Sequence, residues 1–122
     1  MAEPYLKRLT QIVDRLEPVL TGNVMLETKH FFNGAALYVN GKICATLSPA
    51  GFALKLPAEV RPRLIDEGKG QEFRFFPKGP IKREYVALSN SIIQDEEMLR
   101  EIIYLSTSYV AGIPGSTAYD EK

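Results

Sequence analysis

Tryptophan is absent from the chain, and cysteine and histidine occur once each, as Cys44 and His30. A single cysteine excludes an internal disulfide. One histidine without a cysteine or carboxylate at ligand spacing is poor support for a metal site, so we expect a structural or solvated role for His30. The strand position of Cys44 favours a buried, unreactive thiol. We therefore expect neither a metal nor a cofactor.

Net charge is also lacking, because 15 basic and 15 acidic side chains balance to a formal charge of zero. Bulk attraction to nucleic acid or to an anionic membrane is therefore not indicated, although a zero net charge is compatible with a local basic patch. No run approaches the roughly 20 apolar residues of a membrane span. The N-terminus lacks the apolar segment of a signal peptide. We expect a cytoplasmic protein without a membrane partner.

The chain does contain enough apolar residues for one core, at 45% of 122 residues. Asn40-Gly41 between two apolar runs predicts a hairpin with a type I′ turn, because both residues tolerate a positive φ. The expected pairing places Leu37 opposite Cys44. Both faces of this hairpin are then largely apolar. A sheet with one solvent-exposed face shows a cleaner alternation of apolar and polar residues. Either a helix of this chain or another subunit should cover part of the second face.

Apolar periodicity predicts the element order α-β-β-β-β-α-β-β-α. Helices on one face of an antiparallel sheet make a two-layer α+β domain. We assign this domain to residues 1–114 and expect a disordered polar tail at 115–122. Helices are predicted at Glu3–Leu20, at Pro57–Gly68 and from Asp95 to Gly112. Strands are predicted at Val24–Phe31, Ala35–Val39, Lys42–Leu47, Phe52–Leu56, Glu72–Phe76 and Lys82–Leu88.

Catalytic motifs are missing: there is no Gly-x-Ser-x-Gly, Walker loop or Cys-x-x-Cys. We therefore expect no enzymatic activity. Basic residues interleave with aromatic ones between Arg61 and Arg83, which is typical of a nucleic-acid surface with stacking aromatics. The alternative is a strand pair with aromatics inward and charges outward, and we favour it because carboxylates dilute the patch. The candidate nucleic-acid contacts are Arg74, Lys78, Lys82 and Arg83.

An exposed apolar face often marks an interface, and a two-fold homodimer is the commonest way to bury one. We expect a homodimer that uses the outer sheet face or the edge of the hairpin, with Phe32, Leu37 and Val39 as candidate contacts. The competing interpretation is that the first helix covers this face within one chain, through Leu9, Ile12 and Leu16.

Several segments, in order, resemble one family. Lys29–Gly34 followed by Leu37–Lys42 resembles the basic-x-Met-Phe-Gly-Gly…Leu-Tyr-x-Asp-Gly pattern of the TfoX (Sxy) N-terminal domain family, although Phe31 and Asn33 replace its usual Met and first Gly. The resemblance extends roughly from Leu9 to Val110. Further matching segments are Leu54-Lys55-Leu56, Arg61-Pro62-Arg63 with the later Gly68, Tyr85, and Asp95 through Leu99.

This resemblance implies a small α+β domain of the YgaC/TfoX-N type with a secretion-chaperone-like layout. It also implies a regulatory, protein-interaction role linked to natural competence, with a protein partner that stays unknown. The family supplies no known catalytic residues. Its namesake regulators carry a second, C-terminal domain, and the length of this chain leads us to expect a stand-alone member. Direct nucleic-acid binding stays the alternative.

Overall fold

The computed structural model describes residues 3–16, 25–31 and 34–112. In chain order, a helix is followed by four strands, a short helix, two strands and two more helices. Together they confirm the predicted α+β class. The bounds are α1 (Glu3–Leu16), β1 (Leu26–Phe31), β2 (Gly34–Val39), β3 (Lys42–Ser48), β4 (Gly51–Lys55), α2 (Arg61–Asp66), β5 (Gly70–Glu72), β6 (Tyr85–Leu88), α3 (Asn90–Ile93) and α4 (Glu96–Ala111).

The strands form one antiparallel sheet in the order β1-β2-β3-β4-β6-β5, so β1 and β5 are the outer strands. Helices cover one face of this sheet. Leu9 of α1 and Ile103 of α4 are buried in the same core as Leu37, Leu54 and Val86 of the central strands. The main core therefore lies between the sheet and the helices, as the two-layer prediction requires.

The predicted hairpin is present, with a register change further from its turn. Asn40 and Gly41 have φ values of 52° and 82°, which fits the predicted type I′ turn. Beyond the first pairs a bulge places Leu37 opposite Ala45, so the predicted partner Cys44 is wrong. A bulge sets two residues of one strand against one of the other. From Ala45 onwards, the side chains of β3 therefore lie on the opposite faces of the sheet from those that the predicted pairing gives.

Both ends of α4 lie where the sequence predicts them. The Asp95 carboxylate accepts a hydrogen bond from the backbone N–H of Met98 at 3.2 Å, which satisfies one of the free donors of the first turn. Gly112 ends the helix in the left-handed conformation with a φ of 73°. At the other terminus of the chain α1 ends at Leu16, and the predicted extension to residue 20 lies outside the described residues.

The second helix is shorter than predicted. Pro57 accepts backbone hydrogen bonds from Val60 at 3.0 Å and from Arg61 at 3.3 Å, so the segment before Arg61 forms turns. Gly68, with a φ of 75°, lies just beyond the helix end, as predicted. The single turn α3 was not predicted, because four residues are too short to show apolar periodicity.

The last two strands pair antiparallel as predicted, but their bounds differ. β6 is shorter than expected, and β5 shares only Glu72 with the predicted strand Glu72–Phe76, so the assignment of residues 73–76 to a strand is wrong. Residues 73–84 leave the sheet and form an irregular segment, here called the 73–84 loop. Its own backbone bonds hold it, from Gly79 N–H to Phe76 O at 2.9 Å and from Lys82 N–H to Phe73 O at 2.8 Å. Pro77 and Pro80 within it cannot donate to a strand ladder.

The predicted tail at 115–122 and the domain limit at 114 lie outside the described residues. Among the helices that are described, none combines the length and the apolar character that a membrane crossing requires.

Candidate functional site

The sheet face opposite the helices is covered in part by the 73–84 loop. Phe73 is 1% exposed and packs against Ala53, Tyr85 and Ala87 of β4 and β6 in a second, smaller core. The hairpin face of Leu37 and Val39, for which the sequence left a helix or another subunit open, packs instead against α1 of the same chain.

A cavity of about 530 Å³ remains between this loop and the sheet. We call it the aromatic cavity. Its volume lies within the range of ligand-binding pockets, roughly 300–1,000 Å³. Five aromatic side chains line it, from β1, β2, the loop and β6: Phe31, Tyr38, Phe75, Phe76 and Tyr85. The other lining residues are Ile43, Lys55, Pro80, Lys82 and Glu84.

Ring contacts fix the loop to the sheet at this cavity. The Phe75 ring lies 5.9 Å from that of Phe31 and 5.8 Å from that of Tyr85, between centroids. The same ring meets Phe73 edge-on at 4.8 Å. Tilted and edge-on pairs of this kind are favourable arrangements of aromatic rings. Phe76, by contrast, stands at the rim and is 58% exposed.

One end of the aromatic cavity is charged. The Lys55 ammonium lies 5.7 Å from the centre of the Tyr85 ring and 3.9 Å from Oε1 of Glu84. The Tyr109 hydroxyl of α4 donates a hydrogen bond to Oε2 of Glu84 at 3.3 Å. Arg61 of α2 in turn donates to the Tyr109 hydroxyl at 3.4 Å. The helix layer therefore orients the carboxylate at the cavity rim.

Burial keeps two acidic groups of this region protonated. Burial, with a smaller contribution from the negative charge of Glu84, raises the pKa of Tyr85 to about 12. Burial likewise raises the pKa of Cys44 to about 12. At neutral pH the Tyr85 hydroxyl is a hydrogen-bond group and the Cys44 thiol is a neutral core side chain, as predicted for that cysteine.

A further cavity of about 360 Å³ lies where α1 meets the start of α4. Its carboxylate, of Glu96, already lies 3.7 Å from Arg15 of the same cavity and 3.4 Å from the neighbouring Arg100, and no aromatic side chain of the described residues lines it. We therefore take the aromatic cavity as the candidate site. In the described ranges no group of three or more His, Cys, Asp or Glu side chains could hold a metal ion.

Comparison with known families agrees with this architecture. The family described as TfoX N-terminal domain matches residues 19–109, which include all six strands and most of α4. The chain belongs to the TfoX N-terminal domain family. The aromatic cavity lies within the matched span of this TfoX N-terminal domain, whereas α1 precedes it. No curated protein and no solved structure matches the chain.

Two of the three proposed dimer contacts of this TfoX N-terminal domain are not on its surface. Leu37 is 1% exposed and Val39 is 0% exposed, and both pack in the helix-covered core with Leu9. Their prediction as contacts with a second copy is therefore wrong. The competing interpretation, that the first helix covers this face, is confirmed for Leu9. Phe32 lies outside the described residues.

The four predicted nucleic-acid contacts all lie exposed on the 73–84 loop: Arg74, Lys78, Lys82 and Arg83. Only Lys82 among them lines the aromatic cavity. Arg74 donates from Nε to the carbonyl oxygen of Gly79 at 3.1 Å, so part of its guanidinium shapes the loop. The four side chains therefore share one loop but do not form one site.

Sequence reasoning missed Tyr38, Ile43 and Lys55 as lining residues. A signal is present in the sequence, because the predicted pairing places Tyr38 opposite Ile43 on a hairpin face that is largely apolar. The missing step was to connect that face with the aromatic residues of the 73–84 loop, which had been assigned to a strand.

Proposed function

We propose that this TfoX N-terminal domain is a non-enzymatic, cytoplasmic regulatory module that binds a protein partner through the aromatic cavity. Control of natural competence is the setting that the family suggests. The observation that carries the proposal is the aromatic cavity itself. It is an open, largely apolar cavity with a volume of about 530 Å³, within the span that matches the family.

The composition of the cavity supports binding of a protein. Aromatic side chains are enriched in protein interfaces and among the few residues that carry most of the binding energy. Phe76 presents a largely exposed ring beside Phe75 and Tyr38. Contiguous exposed apolar surface of this kind typically marks an interaction site.

The ionisable groups of the cavity support binding in preference to catalysis. Burial raises the pKa of Tyr85 to about 12, which moves its hydroxyl further from the neutral range in which a general base works best. Glu84, which also lines the cavity, already accepts a hydrogen bond from Tyr109 and lies near Lys55. This arrangement suits orientation of a bound group.

Affinity capture with the tagged full chain tests the proposal. We expect a reproducible set of protein partners after nuclease treatment, and we expect Phe76→Ala to lose it. Tyr104→Ala is the matched control, because Tyr104 is an exposed aromatic residue on α4, across the sheet from the cavity. If no protein is captured, while a compound from a small-molecule screen raises the melting temperature of the chain, the protein-interaction proposal is wrong.

Direct nucleic-acid binding is the second candidate. Between residues 73 and 83 the loop carries Arg74, Lys78, Lys82 and Arg83 and no acidic residue. Phosphate contacts would make the affinity fall with salt. Fluorescence anisotropy with single-stranded DNA at low salt tests this, and Lys78→Glu and Lys82→Glu should then weaken binding alike. Absence of binding at tens of micromolar protein removes this candidate.

A further inference from the structure

The charged side chains that line the aromatic cavity carry more positive than negative charge. They are two ammonium groups, of Lys55 and Lys82, and one carboxylate, of Glu84. The Lys55 nitrogen lies 3.9 Å from that carboxylate, which exceeds the length of a hydrogen bond. The carboxylate therefore offsets one of these charges and leaves hydrogen-bond donors unfilled.

Lys55 is the more constrained of the two lysines. Its side chain is 23% exposed, and the ring of Tyr85 lies beside its ammonium. In the part of the chain that the structure describes, neither lysine ammonium donates a hydrogen bond to the protein. A carboxylate of a bound group is a suitable acceptor for such an unfilled ammonium, and charge-assisted bonds of this kind are among the strongest.

The remaining walls select a flat apolar group. Phe75, Phe76 and Tyr38 present ring faces and edges, and Ile43 of β3 adds an aliphatic surface. An aromatic side chain fills such a space with offset or edge-on contacts. An occupant that satisfies the cavity therefore combines an aromatic ring with an adjacent carboxylate.

The position of the cavity favours an extended protein segment as the source of this group. Phe31 belongs to β1, an outer strand, so the lining of the cavity reaches a sheet edge. An extended segment can lie along such an edge while one side chain enters a pocket. We propose that the aromatic cavity binds a partner segment that presents an aromatic side chain next to an acidic one. This inference rests on the proposed function and names the partner's chemistry.

Titration with defined peptides tests the proposal on the full chain. The probe is a short acetylated, amidated peptide with a phenylalanine between two aspartates. Its binding is measured by calorimetry and by the chemical shifts of the cavity residues. One control peptide replaces the aspartates with lysines, and another replaces the phenylalanine with alanine. We expect both controls to bind about tenfold more weakly or not at all, since a charged hydrogen bond or a buried ring contributes more than 1.4 kcal/mol.

Variants locate the binding. Lys82→Glu should weaken the probe peptide about tenfold, because it reverses a charge at the cavity. Lys7→Glu on α1 makes the same change in net charge at an exposed position of the helix layer and should leave the affinity unchanged. Equal weakening by both variants would show an effect of net charge alone and would overturn the assignment.

Two other outcomes also overturn this inference. The first is tighter binding of the lysine peptide than of the aspartate peptide. The second is binding of free phenylacetate, at the same cavity residues, as tight as that of the peptide, which would identify a small molecule as the occupant. If the peptide fails while Phe76→Ala still abolishes protein capture, the partner chemistry is wrong and the protein-interaction proposal stands.

Discussion

Gly79 lies directly against the ring of Phe76, because a Cβ atom on residue 79 would come within 2.8 Å of Cε2 of that ring. Gly79 has no positive φ, so its backbone accepts an alanine. The ring that would have to move is largely exposed. The glycine therefore determines where Phe76 stands at the rim of the aromatic cavity.

Replacing Gly79 with alanine should reshape the cavity rim without unfolding the chain. We expect the free energy of unfolding to change by less than about 1 kcal/mol, as for a strain-free glycine replacement. Aromatic chemical shifts of Phe76 and Phe75 should change clearly. Gly68→Ala is the control: its positive φ of 75° lies in open space, so alanine there should reduce stability and leave the cavity shifts in place.

The burial of Leu37 predicts the outcome of a charge placed in the core. Leu37→Glu should unfold the chain, with a loss of about 4 kcal/mol or more, because a carboxylate would be buried without a partner. Lys42→Gln changes the net charge equally at an exposed position and should leave stability almost unchanged. Circular dichroism on both variants separates the two effects. A folded Leu37→Glu chain of lower oligomeric state would contradict the core assignment.

The homodimer itself stays a prediction, although Leu37 and Val39 do not contact a second copy. Light scattering after size exclusion tests it at high micromolar concentration. A mass near that of the 13.7 kDa monomer would remove the dimer.

Thr46 is buried in the middle of β3, and its hydroxyl has no hydrogen-bond partner among the described residues. A buried, unsatisfied hydroxyl destabilises a fold, whereas a methyl of similar shape does not. Thr46→Val should therefore raise the free energy of unfolding by about 1 kcal/mol. Thr46→Ser keeps the hydroxyl and loses a methyl, so it should lower stability in the same denaturant titration. A destabilised valine variant would indicate that the hydroxyl has a partner.

Alkaline pH should destabilise the folded chain through Cys44 and Tyr85. Burial raises the pKa of Cys44 from 9.0 to about 12 and that of Tyr85 from 10.0 to about 12. Both groups lose their protons more readily in the unfolded chain, so their contribution is complete below about pH 9 and is lost as pH rises towards 12. Urea unfolding at a series of pH values measures this loss. Cys44→Ala should show a shallower decline over that interval, and an unchanged slope would contradict the assignment.

Much of the fold could be predicted because local chemistry and final structure agree. Asn40-Gly41 fixed the turn through its tolerance of positive φ, and Asp95 and Gly112 marked the two ends of α4. The bulge that pairs Leu37 with Ala45 could not be predicted in this way, since it depends on how β3 twists against its neighbours.

The candidate site was less predictable because its parts are distant in sequence. Tyr38 and Ile43 lie on a largely apolar hairpin face, and the sequence pattern assigns Phe75 and Phe76 to a strand. Pro77 and Pro80, which cannot donate to a strand ladder, follow these two residues in the loop that folds back over the sheet. Only the tertiary fold shows that these two unexplained features complete one another.

Photo-crosslinking at the cavity rim tests the central claim most directly. p-Benzoylphenylalanine in place of Phe76 puts a reactive aromatic group at the aromatic cavity, and the same residue in place of Tyr104 puts it on α4, across the sheet. We predict that illumination in host lysate gives a discrete protein adduct from position 76 that the aspartate–phenylalanine–aspartate peptide suppresses, and no such adduct from position 104. Identical adducts from both positions, or none from position 76, would contradict a partner-binding role for the cavity.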